Sequence, residues 1–178
     1  MDRLLPDIPL PPYSYVPGKF PHPERDDDGH GGDADIFHAD SFNPARWSSC
    51  RAYLRAIDLF NSGYYWESHE CWEAIWHAVG RRGTVADFLK ALIKLAAAGV
   101  KAREGRPDGV QRHARRAREL LQEISAHADG NDMFGGMNLA HLLNCAESLV
   151  ANPGEFVNDA DDAVLIVLPL ELRLEYEL

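Results

Sequence analysis

The chain has 178 residues and a mass of 19.9 kDa, a length typical of one domain. Hydrophobic residues make up 46% of the sequence and charged residues 26%, which is an ordinary globular composition and excludes a wholly disordered chain. The formal net charge of −10 argues against sequence-independent binding of nucleic acid, which needs an excess of Lys and Arg, so we expect no nucleic-acid partner.

The negative charge is concentrated in two flanks. Residues 1–43 and residues 151–178 each carry a net charge of −6, whereas residues 44–150 carry +2. Seven of the eleven prolines lie in the first 23 residues, which predicts an extended, Pro-rich acidic arm over 1–43 that packs on the core through its aromatics. Residues 170–178 alternate apolar and polar and follow Pro169, which predicts an acidic extended tail over 153–178. Because the middle of the chain is slightly basic, we expect both flanks to fold back over a basic face of the core.

The middle of the chain, residues 44–152, predicts a helical domain. Helix starts and stops marked by Asn, Pro and Gly predict helices over about 44–61, 64–79, 84–104, 107–125 and 138–151. The first four are joined by short connections, so the predicted fold class is all-α: a compact antiparallel bundle of about five helices. No strand precedes the glycine-rich stretch 130–136, so we interpret it as a flexible connector before the fifth helix.

The remaining bulk features predict a reduced, intracellular protein. The three cysteines are widely spaced and odd in number, so we expect small buried thiols rather than disulfides or a structural zinc site: Cys50, Cys71 and Cys145. No apolar run approaches the ~20 residues that span a bilayer, and prolines interrupt the N-terminus where a signal peptide needs an apolar segment. We therefore expect a cytoplasmic protein without a membrane segment.

The second predicted helix mixes acids and histidines with large aromatics. At 100° per residue, one face carries Trp66, His69, Glu70, Glu73, Trp76 and His77, while Glu67 lies beside the opposite, smaller group. A plain surface helix would separate charged from apolar side chains. Either this face is exposed and unusually aromatic, or it is buried and its carboxylates have cations, hydrogen-bond donors or a metal as partners.

The third and fourth predicted helices supply cations. Lys90, Lys94 and Lys101 form one stripe on an otherwise apolar helix. The stripe is either solvated, or turned toward the Glu and His face of the second helix. The arginines of the fourth helix, within 112–118, are interpreted as a solvated face rather than a phosphate site.

The second helix and its surroundings resemble a known family. The pattern is Phe60-Asn61-x-Gly63-x-Tyr65-x-Glu67-x-His69-Glu70-x-x-Glu73-x-x-Trp76, with weaker similarity over 89–96 and Gly105-x-x-x-Gly109. It resembles the signature of the uncharacterised helical family catalogued as domain of unknown function 309 (DUF309), over about residues 50–125. The resemblance implies an all-helical fold and, loosely, a metal-dependent hydrolase. Lys90 and Lys94 stand where the family pattern leads us to expect glutamine, and two lysines would repel a divalent cation.

The first functional hypothesis is metal-assisted hydrolysis. His69 and Glu73 are four residues apart, a spacing that can put two ligands on one Zn or Mn ion, with Glu70 as a base. His77 lies one further turn along and is the third predicted metal ligand. The histidines of the arm could add others: His22, His30 and His38.

Two other hypotheses need no metal. In one, Lys90 and Lys94 bind an anionic small molecule, with Glu67 and Trp76 as further ligand-binding residues. The catalytic acids and bases would then be His69, Glu70 and Glu73. In the other, the Glu, His and Lys groups form a structural polar network in a non-catalytic binding or scaffold module. The sequence leaves the partner open between a small molecule, another protein and a second copy of the chain.

Overall fold

The computed structural model describes residues 3–31, 42–128 and 130–175, and these are mostly helical. The helices are α1 (Arg51–Asn61), α2 (Tyr65–Ala78), α3 (Thr84–Arg103), α4 (Pro107–Ala126) and α5 (Leu139–Ala151). Short 3-10 helices cover Pro44–Ser49 and Pro153–Phe156, and the strands β1 (Met133–Phe134) and β2 (Met137–Asn138) form a small antiparallel hairpin. The all-α prediction is confirmed.

The first predicted helix is divided in two. The Asn43 side chain accepts a hydrogen bond from the amide of Ala45, and Pro44 follows, as the start signal predicted. However, Arg46 leaves helical geometry and Cys50 is extended, so only a 3-10 turn forms before α1 begins at Arg51. This kink turns Trp47 into the core, where its side chain is buried.

Consecutive helices pack against one another as a compact bundle. α3 packs on both α2 and α4, and α4 in turn packs on α5. The central position of α3 explains why it is apolar nearly all round: most of its side chains are buried between the two neighbouring helices. None of the helices in the described ranges is long and apolar enough to cross a bilayer.

The glycine-rich stretch before α5 is a tight hairpin, so its interpretation as a flexible connector was wrong. Gly135 and Gly136 both have positive φ, at 57° and 76°, which L-residues adopt only at a cost. The buried Tyr53 hydroxyl donates a hydrogen bond to the carbonyl of Gly135 at 2.8 Å. A Cβ at Gly136 would lie 2.5 Å from the indole of Trp47, so the turn packs directly on that ring.

The N-terminal arm lies on α1 and α2. Leu5, Ile8 and Val16 are buried, and the two carboxylate oxygens of Asp58 accept hydrogen bonds from the Leu4 and Leu5 amides at 2.7 and 2.8 Å. Asp58 therefore holds the arm by its main chain rather than by its side chains. The sequence predicted that the arm packs on the core but not which core groups hold it.

The C-terminal tail also lies on these helices and contacts the arm, where the Ser14 amide donates to the Ala163 carbonyl at 2.9 Å. Within residues 157–175 it forms no strand, and its main chain is bound by side chains of α1, α2 and α3. The ion pairs of the described flank acids lie away from the α4 arginines: Asp7 pairs with Arg51, and Asp161 pairs with Lys19. These acids of the flanks therefore pair with α1 and with the other flank, while the 3-10 helix Pro153–Phe156 of the tail packs on α4.

Candidate functional site

The residues of the α2 signature divide into two groups with different partners. The first group, Asn61 through Glu67, faces the flanks. Asn61 accepts a hydrogen bond from the Leu172 amide at 2.8 Å and donates one to the Leu172 carbonyl at 2.9 Å. The Tyr65 hydroxyl accepts from the amides of Val167 and Leu168 at 3.0 and 3.1 Å. These residues bind the main chain of an extended segment.

Gly63 is part of the same contact. Its φ is +87°, and a Cβ there would lie 2.7 Å from the carbonyl oxygen of Leu165. Glycine is required both by the left-handed conformation and by the close approach of the tail. One turn later, the buried Ser68 hydroxyl donates to the Ala56 carbonyl at 2.9 Å and joins α2 to α1.

Glu67 is directed to the arm rather than to the remaining acids of α2. It is 5% exposed, and its carboxylate accepts hydrogen bonds from the Tyr15 amide at 2.7 Å and the Ser14 hydroxyl at 3.2 Å. The His30 ring nitrogen lies 3.2 Å from the same carboxylate. Glu67, predicted as a ligand-binding residue, thus has a full set of partners within the fold.

The second group of signature residues forms a half-buried cluster on the next face of α2. Ligand atoms of His69, Glu70 and Glu73 all lie within 4.8 Å of one another. The His69 Nδ1 is 3.2 Å from a Glu70 carboxylate oxygen, and these side chains are 25% and 42% exposed. The cluster is therefore accessible to solvent, while the remainder of these side chains is packed against the bundle.

The lysines of α3 lie beside this cluster. The Lys90 ammonium is 5.7 Å from the centre of the Trp76 ring, a cation–π arrangement. Burial lowers the pKa of Lys94, the neighbouring charge of Lys90 lowers it further, and Glu73 on α2 acts in the opposite direction. Of the two interpretations of the lysine stripe, the structure therefore favours the one in which Lys90 and Lys94 face α2. Lys101, further along, is bound to Glu104 at 2.7 Å.

His113 of α4 joins the cluster, and no sequence pattern had singled it out from the neighbouring arginines. Burial lowers the pKa of His113 to about 4, and the positive charges of Lys94 and Arg112 act in the same direction. His69 contributes to the same shift, so the two imidazoles are close enough to interact. His113 is therefore neutral at pH 7 and brings a proton acceptor from a third helix.

The donor set suits a divalent metal by type and spacing, but the surrounding charge opposes one. One imidazole and two carboxylates within 4.8 Å match the ligands that Zn and Mn accept. Lys94 interacts with Glu73, so an incoming cation would meet a positive charge at the same carboxylate.

The other predicted ligands lie outside this group. His77 is exposed, with its ring 5.2 Å from that of Trp76, and His30 is on Glu67. His22 packs on the Trp66 ring at 5.3 Å. His38 lies outside the described residues.

Among the described residues, cavities also occur in other parts of the fold. One, of about 400 Å³, lies between α5 and the tail and is lined by His141, Asn144 and Arg173 among others. The second, of about 330 Å³, lies between Trp47 and the β1–β2 hairpin. Neither is lined by the His69 cluster, which forms an open, partly buried surface.

Comparison with known families covers the central helices. The family model described as "Domain of unknown function (DUF309)" matches residues 53–113, within the range of 50–125 over which the resemblance was predicted. The match runs from α1 into α4 and includes both signature groups, the lysines of α3 and His113. No curated protein shows significant similarity to the chain.

Proposed function

We propose that this chain, whose residues 53–113 match the DUF309 family model, binds a small anionic molecule on the surface shared by α2, α3 and α4, with proton-transferring groups beside it. The observation that supports this proposal best is the position of Lys94. Its charge interacts with the carboxylate of Glu73 on α2 and with the imidazole of His113 on α4. Three helices thus bring a cation, an acid and a neutral base together at one place.

The balance of charge favours an anion. The charges acting on Lys94 are those of Lys90, Arg112 and Arg116 and of one carboxylate, Glu73, so positive charge predominates around it. The chain as a whole carries −10, so this surface is locally opposite in sign to the rest of the molecule. An anionic ligand would relieve the repulsion among the lysines and the arginines.

Acid–base chemistry on the bound anion would use groups from two helices. His113 is neutral at pH 7 and can accept a proton. Glu70 lies beside His69 and can fix the orientation of its ring, as a carboxylate does for a catalytic imidazole. In this arrangement Lys94 binds the ligand, and His69, Glu73 and His113 exchange protons with it.

Ligand-dependent thermal stability tests the binding proposal. Wild-type protein is melted with increasing concentrations of acetate, succinate or inorganic phosphate at constant ionic strength, and the same series is repeated with Lys94→Met. A rise in Tm that saturates in wild type and disappears in Lys94→Met is expected. Arg115→Met, which removes an exposed cation of α4, is the matched control and should keep the rise.

A divalent metal at the same cluster is the second candidate, and the convergence of three ligand atoms within 4.8 Å supports it. His69, Glu70 and Glu73 would hold the ion, which would supply a polarised water for hydrolysis. Metal content of protein purified without a histidine tag tests it, with His69→Ala as the comparison. If the wild-type protein contains stoichiometric Zn or Mn and His69→Ala does not, metal binding would be the primary function of the cluster.

The structural-network alternative makes the opposite prediction for the same groups. If the cluster only stabilises the bundle, Glu73→Gln lowers the free energy of unfolding and no anion changes Tm in the wild type. If the site binds a ligand, Glu73→Gln leaves stability unchanged or raises it while altering anion binding, because functional sites tend to be strained.

A further inference from the structure

An aromatic surface lies one helical turn from the charged cluster. The rings of Tyr15, His22 and Trp66 contact one another pairwise, with centroids 5.0, 5.2 and 5.3 Å apart. All three residues are only partly buried. We call this group the aromatic wall.

The wall is next to the site because of helix geometry. Trp66 precedes His69 by three residues and Glu70 by four, the two spacings that place side chains on the same face of a helix, about 5–6 Å apart at Cβ. Trp66 therefore borders the cluster at the N-terminal end of α2. Trp76 borders the other end about 15 Å away along the helix, with the Lys90 ammonium above its ring.

The arm is held firmly enough to contribute to a site. Between the two wall residues of the arm lies Val16, which is 1% exposed. The Tyr15 amide donates to the buried carboxylate of Glu67 at 2.7 Å, which fixes the main chain at the residue that carries the ring. A wall built on these contacts is positioned before any ligand arrives.

We infer that the aromatic wall is a subsite for a planar, apolar group of the ligand, so that the preferred ligands are anions carrying an aromatic ring. This inference rests on the proposed anion site, since the wall adjoins it. The anionic group would lie on Lys94 and the ring against Tyr15, His22 and Trp66. Offset or edge-on contact between rings adds affinity beyond the area that is buried.

The two parts of this site come from different parts of the chain. Trp66 and the charged cluster lie within the family match at 53–113, whereas Tyr15 and His22 belong to the arm, outside it. The arm would thus select among anions that the helical core binds through its lysines.

Binding of matched pairs of anions tests the inference. The dissociation constants of acetate and phenylacetate, and of inorganic phosphate and phenyl phosphate, are measured by calorimetry on the full chain. In wild type the aromatic member of each pair should bind about five- to tenfold more tightly. In Tyr15→Leu this ratio should fall to near one while the affinity for acetate and phosphate stays unchanged, since the main-chain contact with Glu67 remains.

Tyr13→Leu is the matched control, because Tyr13 lies on the same arm but stacks on Phe20 and His30 instead. It should keep the wild-type ratio. Equal binding of both members of each pair in wild type would overturn the aromatic subsite and leave the anion site standing. Binding of neither member would overturn both proposals. The series is repeated after treatment with EDTA to show whether a bound metal ion is needed for anion binding. Loss of all binding would mean that the charged group of the ligand binds a metal and not Lys94, which would overturn the placement proposed above.

Discussion

Gly99 in the middle of α3 gives the sharpest test of how the helices pack. A Cβ at this position would lie 2.5 to 2.8 Å from three carbons of the Tyr65 ring. Tyr65 is 1% exposed, and its hydroxyl accepts two amide hydrogen bonds from the tail. The ring therefore has no free space to move into without disturbing the tail.

Two opposing effects decide the outcome of Gly99→Ala. Alanine is favoured over glycine in a helix interior by about 1 kcal/mol. Overpacking a buried contact costs about 1–3 kcal/mol, and losing the hydrogen bonds of Tyr65 would add about 1 kcal/mol for each one broken. We expect the clash to prevail, with a net destabilisation of about 1–3 kcal/mol and a fall in Tm of about 3–10 °C for a chain of this size.

Urea unfolding followed by circular dichroism measures this free energy. Gly154→Ala in the 3-10 helix Pro153–Phe156 is the control, because a Cβ there would meet no atom within 4 Å. That variant should be neutral or slightly stabilised. A double variant with Tyr65→Leu should lose most of the cost of Gly99→Ala, since the obstructing ring is gone. If Gly99→Ala instead raised the free energy of unfolding by about 1 kcal/mol, helix propensity alone would determine the effect, and the close packing of Tyr65 on α3 would be refuted.

Three further predictions concern the tail, the pH dependence and the thiols. Asn61→Ala removes both hydrogen bonds to Leu172 and should lower the free energy of unfolding in urea by about 1–3 kcal/mol, with faster proteolysis of the tail. An unchanged cleavage rate would contradict the role of Asn61 in holding the tail. His113 has its pKa lowered to about 4, so the unfolded chain binds more protons between that value and about 6.5, and the stability His113 contributes at neutral pH is lost as the pH falls through this range. His113→Gln should flatten that part of the stability profile, and an NMR titration giving a pKa of 6.5 or above would refute it. Burial raises the pKa of the Cys145 thiol to about 12, so a thiol reagent at pH 8 should modify Cys145 no faster than the protein unfolds. The rate of modification is compared with that of the fully denatured protein, and an equal rate would contradict the burial of this thiol.

The sequence was sufficient where local signals and periodicity act alone. Asn43 with Pro44, and Pro107 further along, marked helix starts that the structure keeps, and the apolar character of α3 is explained by its burial between α2 and α4. The predicted bounds of the later helices differ from the observed ones by at most one residue. The kink at Arg46 was not predictable, because it allows Trp47 to pack in the core and no helix-breaking residue marks it in the sequence.

The hairpin before α5 shows a limit of composition. Glycines at 130–136 suggested flexibility, yet Gly135 and Gly136 are needed because Tyr53 and Trp47 approach the turn so closely. Only residues some eighty positions earlier in the chain explain them. The cysteines were more predictable, since Cys71 and Cys145 are buried as expected, although Cys50 is only half-buried.

Local pattern was enough to predict an all-α core, two extended flanks and a helix face on which His69, Glu70 and Glu73 stand together. Helical periodicity suffices for that, because residues three and four apart must share a face. The packing of the bundle was needed to assign Glu67 to the arm and to bring Lys94 and His113 to the site. Those assignments depend on how α2, α3 and α4 are rotated about their axes, which is set by the burial of apolar side chains along the whole bundle and not by any local pattern.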